Sequence, residues 1–158
     1  MDFIVQKAVE LGVTEIQPLI MENCVVKYDE AKKSQRQTKW QKIANEAAKQ
    51  CGRTVIPEIK PIITLGEFLK SLPKSCNKIV CYEAENNNGI KKLLDNTNSV
   101  DYCVFVGPEG GFSNNEIKIC NENSCQPVTL GPRILRTETA SLAAISIILY
   151  HKGDLGGF

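Results

Sequence analysis

A chain of 158 residues, 42% apolar and 23% charged, is sized for one domain with a single buried core. Nineteen Lys and Arg against eighteen Asp and Glu leave a net charge of +1, so any attraction to nucleic acid must come from a local basic face. No apolar run approaches the roughly 20 residues of a membrane-spanning helix, and MDFIVQKAVELG lacks the basic start and cleavage site of a signal peptide. These features predict a cytoplasmic protein with no membrane partner. Seven cysteines without CxxC spacing fit reduced thiols better than a disulfide framework or a zinc site, so no metal is expected.

The first element is a helix with Phe3, Ile4, Lys7, Ala8 and Leu11, stopped by Gly12, with nothing before it to cap it. TEIQPLI (14 to 20) and NCVV (23 to 26) read as short extended pieces. A long helix follows over 31 to 53, with Trp40, Ile43, Ala44, Ala47, Ala48 and Cys51 on a buried stripe and Arg36, Lys39, Lys42 and Lys49 off it. Thr64 to Glu67 is a capping box opening a short helix that ends before Pro73. Residues 78 to 84 are a strand candidate, NNN (86 to 88) a loose loop, GIKKLLDN (89 to 96) a helix, and YCVFV (102 to 106) a strand. A second capping box, Ser113 to Glu116, starts another helix, then PVTLG (127 to 131) is extended and residues 138 to 153 form the last helix, ending at Gly153.

This alternation predicts an α/β fold, a mostly parallel sheet with helices on both faces. The last helix is apolar on more than one side, which predicts cover from the sheet and from a second subunit. Ligands of such sheets lie beyond the carboxyl ends of the strands, and Gly107 to Gly111 fall there. Glycines at that point serve either a ligand's close approach or a tight turn with positive φ, and spacing alone leaves both open. A phosphate on the helix start at Ser113 is a further reading, although the chain has no GxxxxGK[ST] motif, and Glu109 would repel a polyphosphate.

VGPEGGFSNNEI (106 to 117) followed by LGPRILRTETASLAA (130 to 144) resembles the bacterial 16S ribosomal RNA uridine-N3 methyltransferases of the SPOUT class. QKAVELGVTEIQP (6 to 18) and KIANEAAKQCGRTVIP (42 to 57) are similar to that family's patterns in the same order. The resemblance implies S-adenosylmethionine as cofactor, a carboxyl-terminal deep trefoil knot, a homodimer, and 16S ribosomal RNA in the 30S subunit as partner. It implies that Gly107, Pro108, Glu109, Gly110 and Gly111 line one side of the cofactor, and Leu130, Gly131, Ile134, Leu135 and Arg136 the other. It also implies an amino-terminal β-barrel domain related to PUA folds, so residues 1–158 read as the methyltransferase domain alone. A knotted, non-catalytic RNA-binding or assembly protein is the alternative.

Methyl transfer to uracil N3 needs an anionic base, which a guanidinium stabilises. Arg136 is the candidate, with Arg133 as the substrate-side alternative. Glu138 is the available proton acceptor, or else a helix-dipole partner in the first turn. Thr137 reads as a helix N-cap. Gln50 can pair with a uracil edge and Arg53 can hold a phosphate, or both are solvated helix-end polarity. His151 reads as a surface residue at the last helix's end.

Overall fold

A computed structural model of the chain describes residues 1–25 and 28–157. The elements run α1 (Asp2–Leu11), β1 (Glu15–Ile16), β2 (Leu19–Ile20), α2 (Glu30–Gln50), β3 (Glu58–Ile59), β4 (Ile63–Thr64) and α3 (Leu65–Ser71). They continue through β5 (Asn77–Cys81), α4 (Ile90–Asp95), β6 (Tyr102–Val106), α5 (Asn114–Glu122), β7 (Gln126–Val128) and α6 (Thr137–His151). Every strand pair is parallel, as expected, but the strands form three short ladders, β1 with β3, β2 with β4, and β6-β5-β7, in place of one sheet. Proline explains the break between the first two. Pro18 separates β1 from β2 and Pro61 separates β3 from β4, and a residue without an N–H cannot continue a ladder. Gln17 spans the gap, its Nε2 donating to the carbonyls of Pro18 (3.0 Å) and Pro61 (2.6 Å).

Alternation along β5 and β6 places helices on both faces of the central ladder. Val80 and Phe105 sit opposite each other and pack with Phe68 and Leu69 of α3 and Cys120 of α5. Ile79, Cys81, Val104 and Val106 turn the other way, onto Leu93 and Leu94 of α4 and Ala144 and Ile148 of α6. A separate core joins α1 to α2 through Val5, Val9, Trp40, Ala44 and Ala48, with Ile59 of β3 beneath. Both capping boxes form, Thr64 with Glu67 and Ser113 with Glu116.

Four local expectations are corrected. α2 stops at Gln50 because Gly52 turns the chain at φ 75°, so Cys51 is an exposed cap residue outside the buried stripe. Met21 to Cys24 form a turn closed by Cys24 N–H to Met21 O (3.2 Å) and Val25 a bend, with no strand, while Val26 lies outside the described residues. Residues 86 to 88 are tied down: the Glu85 carboxylate accepts from the Asn87 and Asn88 amides, and Asn88 Nδ2 donates to Pro127 O. Arg136, not Thr137, is the N-cap of α6. Among the described residues no helix is long and apolar enough to cross a membrane.

Candidate active site

β5, β6 and β7 end at Cys81, Val106 and Val128, and a cavity of about 310 Å³ opens beyond those carboxyl ends. Its volume is at the lower edge of the range for small-molecule sites. The two glycine passages meet here. Gly107, Pro108 and Gly111 form one wall, and Leu130, Gly131, Ile134 and Leu135 form the other. A direct bond joins them, from Thr137 Oγ1 in the first turn of α6 to Gly107 O (3.1 Å). That hydroxyl is therefore spent across the cavity and caps nothing.

Protein groups crowd the glycine loop at three of its positions. A Cβ on Gly107 would stand 3.0 Å from the Phe112 ring, and one on Gly110 would stand 2.9 Å from Asn23 Cβ. Gly111 takes φ +69°, and a Cβ there would run into the Glu83 carboxylate. The tight-turn reading holds at Gly111, which closes a turn with its N–H on Pro108 O (2.9 Å); in the second passage Gly131, at φ +125°, faces open space.

Asn23 pins this loop, its Nδ2 donating to Gly110 O (3.1 Å) and Gly111 O (3.2 Å). Its own turn is held by the Glu22 amide donating to Glu116 Oε1 (2.8 Å). Glu116, only 4% exposed, also accepts from the Ser113 amide, so a carboxylate already fills the start of α5. That overturns the phosphate reading of this helix start. Glu109 and Gly110 are exposed on the loop's outer side, away from the cavity lining.

The cavity walls suit a ligand that is part apolar and part hydrogen-bonding. Val106, Val128, Leu130 and Ala140 supply apolar surface. The backbone groups of Leu130, Arg133, Ile134 and Leu135 form no hydrogen bond among the described residues, leaving donors and acceptors for a flat heterocycle's edge. Cys81 also lines the cavity, but burial pushes its thiol up to about 12, so it stays protonated and is no nucleophile. The segment Tyr82 to Asn86 forms a third wall that sequence reasoning missed. The strand-end rule that pointed to residue 107 points equally to the residues after Cys81.

The remaining candidates separate into near and far. Arg133 lines the cavity and is exposed, and Arg136 is exposed at the adjoining N-cap. Glu138 is half-buried in the first turn of α6. Gln50 lies instead in a groove between α1 and α2 with Gln6, Glu10 and Lys42. Arg53 Nη1 donates to Val9 O (2.9 Å) and Val13 O (2.8 Å), closing the end of α1. Gly12, between those carbonyls, neighbours Leu149 and Asp154 at the far end of α6. The length of that helix, about 22 Å, therefore separates Gln50 and Arg53 from the cavity within one chain.

The model of the RNA methyltransferase domain family matches residues 1–149. The ribosomal RNA small subunit methyltransferase E of Buchnera aphidicola is 34% identical over 154 residues, 98% of this chain and 60% of that protein. A solved Neisseria gonorrhoeae ribosomal RNA small subunit methyltransferase E, bound to S-adenosyl methionine, superposes with TM-score 0.84 at 40% identity, over 95% of this chain and 60% of that one. A Legionella pneumophila methyltransferase in complex with SAM superposes at 0.85 with 36% identity, again over 95% and 60%. The chain thus spans about 60% of the length of these relatives. With nearly its whole length matched, from α1 into the last turns of α6, the chain belongs to the RNA methyltransferase domain family.

Proposed function

We infer that the chain is the methyltransferase domain of an S-adenosylmethionine-dependent enzyme acting on N3 of a uridine in 16S ribosomal RNA of the 30S subunit. The observation that carries this reading is the cavity at the carboxyl ends of β5, β6 and β7, where two glycine passages face each other across unpaired backbone groups. The cofactor-bound relatives support it.

S-adenosylmethionine, when bound, supplies a methyl group on a sulfonium centre. Leu130, Ile134 and Leu135 hold the adenine by backbone contacts, and the 107 to 111 loop closes the opposite side. Arg136 places a guanidinium beside the target base and stabilises the negative charge that grows on it as N3 loses its proton. Arg133 stands next to it on the substrate side, and Glu138 is the carboxylate within the same turn. Gln50 and Arg53 reach substrate from a partner subunit in this reading, which includes a homodimer covering the partly exposed Ile145, Ile147 and Leu149 of α6. A trefoil knot of the SPOUT class, a cytoplasmic location and an RNA-binding PUA-like domain in the whole protein complete the proposal.

The test is calorimetry with S-adenosylmethionine followed by methyl transfer to unmethylated 30S subunits. Arg136→Ala is expected to keep cofactor affinity and lose on the order of a hundredfold in turnover. Normal methylation by that variant contradicts the assignment, and cofactor binding without any transfer by the full-length protein favours a non-catalytic assembly protein.

A further inference from the structure

The outer surface of α2 carries a charge excess for which the proposed methyl transfer has no use. Six basic residues against two acidic ones give this helix +4, and since the whole chain carries +1, everything else together carries −3. Lys32, Lys33 and Lys39 are partly neutralised by Asp29, Glu30 and Asp2. Arg36, Lys42 and Lys49 have no carboxylate within ion-pair distance among the described residues, and all are exposed. Lys42 and Lys49 stand two turns, about 10 Å, apart on one face with Lys39 beside them, whereas Arg36 lies more than about 100° round the helix. Glu46 lies between those two lysines and pairs with neither. Toward the helix start, the Arg36 guanidinium stands 5.7 Å from the Tyr28 ring. That end of α2 leads back to Asn23, which holds the glycine loop at the cavity.

We propose that this face of α2 binds the phosphate backbone of the RNA whose base enters the cavity, an inference that rests on the methyltransferase reading. Two unpaired lysines two turns apart, with Lys39 and the polar Thr38 and Asn45 on the same face, match a hydrated polyanion, and Glu46 between them opposes it. A protein partner would call for an apolar centre that this surface lacks. A phosphate-binding face is sequence-independent, so it positions the RNA while the cavity selects the base.

The test compares the parent chain with K42Q/K49Q, a variant whose glutamines keep helix propensity close to that of the residues replaced. Affinity for 16S ribosomal RNA and for an unrelated duplex RNA is measured across a salt series. The slope of log affinity against log salt is expected to shrink by roughly 1 to 2 for both RNAs, with cofactor affinity and melting temperature unchanged. Glu46→Gln moves the other way, tightening both RNAs up to about fivefold at low salt. A parental slope in the double variant, or no gain in Glu46→Gln, overturns the proposal. Failure of the methyltransferase reading appears separately, as absence of S-adenosylmethionine binding by the parent.

Discussion

Thr137 carries more of the site than its place in the sequence indicates. Its hydroxyl links the last helix to Gly107 O, and Gly107 is buried, so Thr137→Val keeps the shape while leaving that carbonyl without its partner. The expected cost is about 1–3 kcal/mol in stability, with weaker cofactor binding because the cavity walls lose their bond. Thermal melts and calorimetry check this, and Thr137→Ser should restore both readouts. A valine variant equal to the parent would refute the link. The one-residue shift of the cap, to Arg136 with φ −64° and ψ 155°, is what sequence patterns resolve poorly, since Thr at either position looks like a helix start. The glycine loop shows the same limit: it is pinned by Asn23, a residue 87 positions away from Gly110.

Between elements, α1 and α2 are joined at Asp2, whose carboxylate takes hydrogen bonds from Lys39 Nζ and from Trp40 Nε1 (2.9 Å). The lysine hydrogen bond is the main cause holding this carboxyl below its ordinary value of 3.8, against the opposing effect of burial. A depressed folded-state value means that the stabilisation is complete above the ordinary value and disappears as pH falls through the lower folded one. Asp2→Asn should therefore lose less stability than the parent between about pH 5 and about pH 2. Denaturation midpoints across that range check it, and parallel curves would contradict it. Elements fixed by neighbours in sequence were legible: both capping boxes, the strand at 102 to 106 and the stop at Gly12 all lie where local chemistry points. The two-residue strands around Pro18 were legible only as extended chain and those around Pro61 not at all, because their ends depend on which proline faces which across the ladder.

In the whole molecule, parallel strands of β5, β6 and β7 stop at one level, and the loops that leave them enclose one cavity. Alternating strands and helices made that location readable, and the glycine passages marked two of its walls. The third wall, Tyr82 to Asn86, carries no special residue pattern, and the docking of Asn23 on the glycine loop joins segments that no local rule connects. The separation of Gln50 and Arg53 from the cavity likewise follows from the course of α6, not from any feature of their own segment. A crystal structure of the chain with S-adenosylmethionine tests the cofactor site most directly. The expected result is one adenosyl group held between residues 107–111 and 130–135, its ring edge on the free backbone groups of the second passage. An adenosyl group bound anywhere else, or two passages that do not both touch it, would contradict the site proposed here.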